Sequence, residues 1–437
     1  MFPVLVLMIG MLLPAIVGAQ AMIPGITPDV ATGAFNLTAK TGSIVSDDGG
    51  SIFMWGFADG SAQMQYPGPT LIVQQGALVT VNLTNRLTVP VSIVFPGQEG
   101  VNAAMVLPGI GNLGLLTLEA NPGETVQYTF TASQPGTYIY HSGTRPELQV
   151  EMGLMGALIV RPSFTPPVGF AGCGYGHQDS CFHHEYLHVL SEIDPQIHRL
   201  VQQGRINEVD NTRAYPVHWF INGRSGFDTV APTNARFLPR QPYSALVRAH
   251  PAETVLLRII GATRDLHPHH LHGNHHRVIA RDSRLLGSAP PGSGANLREF
   301  SFTTTVGPGQ TFDALFTWTG QGLGWDIYGH TDPTGTGQVG AACTAPLAPN
   351  ETVEDHCKPI PVIFPDNKDL LFGPLYTGSP FLGSTGTLPP GEGGFNPSAG
   401  LPFMWHSHSE KELTSNNLFP GGMLTFCIIE HPSIPIP

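Results

Sequence analysis

The chain repeats itself, and the duplication limits its fold more than any single motif does. Residues 79–97, opening V-T-V-N-L-T-N, overlay residues 255–273, opening V-L-L-R-I-I-G, without a gap and with the apolar alternation kept. A second gapless block sets His141 and Ser142 on His406 and Ser407, Glu147 and Leu148 on Glu412 and Leu413, and Gly156 on Gly421. A looser match carries residues 122–140 onto 308–328. Alternation with period two puts successive side chains on opposite faces of a strand. A chain that uses this pattern twice, without long 3.6-residue periodicity, is predicted to be all-β, with two antiparallel Greek-key sandwich domains. Its 52 glycines and 41 prolines supply the turns. The expected boundaries are 22–165 for the first domain, 166–181 for a linker and 182–437 for the second domain, with a Gly/Pro-rich insertion at about 331–402. Residues 325–330 and 403–408 compete for the strand equivalent to 138–141, and the longer downstream match favours 403–408.

Residues 1–18 are apolar and the first charged side chain is Asp29. Small residues follow, so 1–21 reads as a secretory signal peptide and the mature protein as secreted or periplasmic. Export permits disulfides: Cys173 with Cys181 across the linker, and Cys343 with Cys357 inside the insertion. Cys427, in an apolar run, is expected to be a buried thiol. A zinc knot of Cys173, His177, Cys181, His183 and His184 is the weaker reading of the linker. The net charge of −12 offers no basic footprint for nucleic acid or an acidic membrane surface, and no segment after the leader could span a bilayer. P-loop, dinucleotide and nucleophile-elbow motifs are missing. Small molecules and metal ions remain as partners.

Histidines carry the chemistry. In H-P-H-H-L-H-G, residues 267–273, alternate positions share a face, so His270 and His272 project together; His406 and His408 do the same. Imidazole suits copper, zinc, iron or nickel, and paired strands can supply several nitrogens without a carboxylate. Without a metal, such closely set imidazoles would repel one another on protonation.

These motifs resemble those of multicopper oxidases, and the repeats resemble cupredoxin domains. H-P-x-H-L-H-G is met by His267, Pro268, His270, Leu271, His272 and Gly273. The resemblance makes His267 a type 1 copper ligand, and His270 and His272 ligands of a trinuclear cluster. The family's H-C-H is met by His406 and His408 around Ser407, its Y-H-S-H by Tyr140 to Gly143 with one histidine lost, and its H-W-H-G by residues 94–97 with both lost. The second type 1 histidine falls on Glu412, and Met423 sits too far along to be the axial methionine. Serine cannot replace the cysteine thiolate of a blue site. The resemblance therefore implies copper, one or two ions, held by His141, His270, His272, His406 and His408 between the domains, with no type 1 centre. His267, His275, His276, His330, Glu147 and Glu412 are candidates to make up ligands. The implied function is a copper-dependent oxidoreductase acting on a small reductant or metal ion, with dioxygen as candidate acceptor. A non-catalytic copper carrier is the main alternative, and a homo-oligomer is left open.

Overall fold

The computed structural model describes residues 22–106, 109–290, 292–363, 371–372, 375–376, 380–382, 394 and 396–436. The leader at 1–21 lies outside the described residues. The first sandwich contains β1 (Phe35–Val45), β2 (Ser51–Asp59), β3 (Leu71–Gln74), β4 (Leu78–Asn85), β5 (Asn102–Met105), β6 (Thr125–Thr131), β7 (Gly136–His141) and β8 (Met155–Arg161). Its sheets run β2-β1-β4-β6-β5 and β3-β8-β7. The second contains β9 (His184–Ile193), β10 (His218–Ile221), β11 (Val247–Ala249), β12 (Thr254–Gly261), β13 (His267–Leu271), β14 (His276–Arg281), β15 (Thr303–Val306), β16 (Thr311–Thr317), β17 (Leu401–Ser407) and β18 (Leu424–Ile429). One of its sheets runs β10-β9-β12-β16-β14, extended at the edge by short strands, and the other β11-β18-β17-β13-β15.

Duplicated sequence takes duplicated topology. β4 and β12 each lie parallel to an earlier strand, β1 or β9, and antiparallel to a later one, β6 or β16. The facing sheets repeat one another too, with β8 parallel to β3 and β18 parallel to β11. Both are cupredoxin-like Greek-key sandwiches. In β4 the alternation is clean, with Val79, Val81 and Leu83 turned into the core. β12 is buried on both faces. Val255, Leu257 and Ile259 fill the second core, whereas Ile260 packs with Ile139, Met155 and Ile159 of the first sandwich. Covering one sheet with another domain removes the solvent face that polar residues would occupy.

Arg258, on that covered face, is fully buried. Its guanidinium donates to Glu185 at 2.7 Å and to Thr137 at 2.9 Å, and lies 3.3 Å from Asp313. Arg161 donates to the other Glu185 oxygen at 2.7 Å. Thr137 and Arg161 belong to the first sandwich, so a charge network and an apolar core join the two. Buried charge is tolerated there because each carboxylate has a cation in contact.

Cys173–Cys181 and Cys343–Cys357 are bonded, and Cys427 is a buried free thiol. Residues 401–407 form the strand equivalent to β7, while 325–330 turn. Gly320, Gly322, Gly324 and Gly329 all have φ between 67° and 85°, a left-handed conformation that breaks strand periodicity. No helix among the described residues is long and apolar enough to cross a membrane.

Candidate metal centre

Three neighbouring strands build the histidine cluster. β13 lies between β15 and β17, in a register that sets His270 opposite Thr303 on one side and His406 on the other. Directly opposed residues of an antiparallel pair bring their side chains into contact. His272 and His408 follow just past the strand ends. Ring centroids of His270 lie 4.9 Å from His272, 5.4 Å from His406 and 4.8 Å from His408. Donor nitrogens of His270, His272 and His406 all fall within 4.8 Å of one another. His406 is buried, whereas His272 and His408 are exposed, so one side of the cluster is open to solvent.

Tautomers follow from the partners. Nδ1–H of His406 donates to the Ser407 carbonyl at 2.7 Å, leaving Nε2 with a lone pair. That lone pair faces Nε2 of His272 at 3.2 Å. Nδ1 of His270 is tied to the Thr303 hydroxyl at 2.6 Å, which turns its Nε2 outward as a donor. A ring held at one nitrogen and open at the other is the usual arrangement of a metal-binding histidine. Burial, and then the neighbouring rings of His272, His406 and His408, push the His270 pKa down to about 4. Burial does the same, in direction, to His272 and His406. At neutral pH these are uncharged donors.

The remaining candidates separate into other environments. His141, at the end of β7, also donates through Nδ1 to the following carbonyl, of Ser142, at 2.9 Å. It lines a cavity with Glu147, Glu151, Thr263, Arg264 and Pro308, and it belongs to no group of mutually close donors among the described residues. The three mutually close donors all come from the second sandwich, and His141 is not among them. His275 stands against the Phe302 ring at 5.3 Å, and His276 is buried on the Thr304 hydroxyl. His330 sits with Asp326, Glu351 and His356, not with the cluster. Glu147 pairs with Arg145.

His267 and Glu412 meet each other. Nδ1 of His267 lies 3.0 Å from Glu412, Nε2 lies 2.9 Å from Glu192, and the Ser407 hydroxyl donates to Glu412 at 2.6 Å. All four side chains are buried. Burial lowers the pKa of His267, but the hydrogen bonds and charges of Glu192 and Glu412 outweigh it and raise the value to about 9. The imidazole is therefore protonated at neutral pH and offers no lone pair. Beside it, Nε2–H of His269 donates to Nδ1 of His188 at 2.9 Å, and His188 passes its own Nε2–H to the Ala245 carbonyl at 3.0 Å. Glu192, Thr303, His188 and His269 were not singled out as parts of the site by the motifs. Of these, Glu192 left a signal, a carboxylate set between the apolar residues Val189, Leu190 and Ile193 of β9.

Comparison with known proteins agrees with this architecture. Residues 60–164 match the multicopper oxidase family profile. An L-ascorbate oxidase of Cucurbita pepo var. melopepo is 32% identical over 174 residues, 38% of this chain and 27% of that protein. Over these stretches the chain is similar to multicopper oxidases. A copper-containing nitrite reductase of Pseudomonas chlororaphis is 26% identical over 257 residues, 55% of this chain and 61% of that enzyme. Among solved structures, the multicopper oxidase mgLAC superposes with a TM-score of 0.54 at 18% identity, over 92% of this chain and 87% of that one. A blue copper oxidase from Nitrosomonas europaea gives 0.54 at 19%, over 92% and 88%. Matches to the ascorbate oxidases span about a quarter to a third of those proteins' length. The profile match covers the first sandwich from β3 onward, a stretch whose one histidine is His141; here the likeness rests on scaffold, not on ligands.

The donor set at His270, His272 and His406 fits the family's metal. Neutral imidazoles, with His270 and His406 anchored through Nδ1, suit copper. The pocket of His267, Ser407 and Glu412 offers a different set, an imidazole held between two carboxylates beside a hydroxyl, with no thiolate.

Proposed function

We propose that this protein is an exported copper-dependent oxidoreductase with a His-ligated site formed by His270, His272 and His406, and with no type 1 centre. The observation that carries this reading is the convergence of the three imidazole donors on the β13–β17 register. Bound copper would supply one-electron redox chemistry between its two common oxidation states. The protein's part is to hold the rings: Thr303 and the Ser407 carbonyl fix two of them, and the exposed edge at His272 and His408 admits a small molecule. The His267–Glu192–Glu412 ion cluster replaces the family's electron-entry site, so a small reductant would have to reach the open site directly.

Copper per chain, the electron paramagnetic resonance spectrum of the loaded protein, and oxygen uptake with ascorbate test the reading. His270→Ala and His406→Ala are expected to abolish both copper binding and turnover. Nitrite, tried as acceptor in parallel, distinguishes the two relatives' chemistries. Copper bound without turnover on either acceptor would favour a carrier, the reading that the open edge also suits. Thr303→Val should weaken copper binding by about 10- to 100-fold, as loss of a hydrogen bond to a ligating ring does; unchanged affinity in a competitive titration would show that Thr303 has no part in holding His270.

A further inference from the structure

The turn-rich segment that precedes β17 holds a second set of converging donors, some of them supplied by residues that carry no family motif. Asp326, His330, Glu351 and His356 each place one donor atom within 4.8 Å of all the others. Nδ1 of His330 lies 3.1 Å from Asp326 Oδ2 and 3.4 Å from Glu351 Oε1. Nδ1 of His356 lies 3.5 Å and 2.5 Å from the same two oxygens. The side chains of Asp326, Glu351 and His356 are 1%, 4% and 2% exposed, and that of His330 is 25%.

Three of the four side chains are oriented from behind. Nε2–H of His356 donates to the Ala345 carbonyl at 3.0 Å, so a neutral His356 points the lone pair of Nδ1 at a carboxylate oxygen. Glu351 Oε2 accepts from the Ala348 amide at 2.6 Å, leaving Oε1 for the centre. Asp326 Oδ1 accepts from the Tyr328 amide at 2.8 Å, and Oδ2 is fixed by the Cys357 amide at 2.7 Å. The Cys343–Cys357 disulfide anchors the residue next to His356. Two carboxylates and two imidazole lone pairs cannot face one another in a buried space without protons or a cation between them. One divalent cation balances both carboxylates and leaves both rings neutral.

We propose that Asp326, His330, Glu351 and His356 form a four-coordinate structural zinc site, separate from the copper site and independent of it. A tetrahedral ion with bonds of about 2.0–2.1 Å keeps its donors roughly 3.3–3.4 Å apart, close to three of the four nitrogen-to-oxygen separations here. Zinc accepts nitrogen and oxygen donors together in such a closed site. The Cys343 and Cys357 sulfurs are bonded to each other and are not donors. The ion would tie residues 326–330, at the start of the insertion, to Glu351 and His356 within it.

The test uses the full chain with the copper site emptied by His270→Ala and His406→Ala, stripped with a chelator and then titrated with zinc chloride. One zinc per chain is expected, and cobalt in its place should give the intense visible spectrum of a tetrahedral ion. His330→Ala, at the most exposed ligand, and Glu351→Gln, a near-isostere, should each weaken zinc binding by about 100-fold or more, beyond what losing an outer hydrogen bond costs. Two variants of different severity keep the result readable if one of them fails to fold. Unchanged zinc affinity in a folded variant, or no zinc bound by a folded parent, overturns the proposal whatever happens at the copper site.

Discussion

His267→Leu is expected to cost about 3–5 kcal/mol of stability, the usual effect of removing one partner from a buried ion pair. The loss comes from what remains: Glu192 and Glu412 would stay buried without their shared cation. Neutralising the whole group, as His267→Leu with Glu192→Gln and Glu412→Gln, should recover a good part of the deficit, because removing every charge leaves no orphan. Urea midpoints compare the three proteins. The wild type also acquires a pH dependence of known sign. Its His267 pKa rises from 6.5 to about 9 on folding, so the stabilisation is complete below about pH 6.5 and disappears as pH climbs through about 9, roughly 3 kcal/mol in all. Glu192, hydrogen-bonded by His267 and Thr263 against the opposing effect of burial, has its pKa lowered and contributes in the other direction. Its share is present above the ordinary carboxylate range and is lost as pH falls through the depressed value. In His267→Leu the alkaline loss should vanish. A wild type whose advantage over that variant is as large near pH 9 as near pH 6 would show that His267 is not protonated in the fold.

The histidine pattern made one part of this site legible and left another hidden, for a physical reason. His270 and His406 could be paired from sequence because strand alternation and the duplicated block both fix where their side chains point, and β13 and β17 lie side by side as the repeat requires. The role of His267 could not be read that way. Its ordinary motif position points to a metal, and its actual partners come from 75 and 145 residues away along the chain. Nothing local marks Glu192 as a counter-ion except its place in an apolar strand. His330 was open to either assignment until the left-handed glycines around it turned the chain away from the strand path and toward Glu351 and His356. The two-sandwich architecture was legible because it needs only period and repetition. The domain contact was not, since Arg258 in the middle of the covered face of β12 reads as the charge of a solvated face until Thr137, Glu185 and Asp313 are found around it.

Ser407→Cys combined with Glu412→His is expected to create a blue copper site where the protein now keeps an ion pair. The three atoms involved are already together: the Ser407 hydroxyl lies 2.6 Å from Glu412 Oε2, and that oxygen lies 3.0 Å from Nδ1 of His267. Leu190, Ile221 and Met423 line the same pocket with apolar groups. A thiolate with two imidazoles is the donor set of such copper sites, and an apolar surround tunes them. Replacing Glu412 removes one of the two carboxylates that hold the proton on His267, which frees Nδ1 as a ligand. Nε2–H can still donate to Glu192, the carboxylate contact that strengthens a ligating histidine. The doubly substituted protein loaded with copper should therefore take up one more ion per chain than the wild type and absorb strongly in the visible through sulfur-to-copper charge transfer. Ser407→Cys alone should not, because Glu412 would still hold His267 as a cation beside the new thiol. Equal colour in the single and double variants would mean that Glu412 does not control the protonation of His267. A colourless but folded double variant, with its His270 site loaded, would mean that the pocket has lost more of the family's geometry than its ligands.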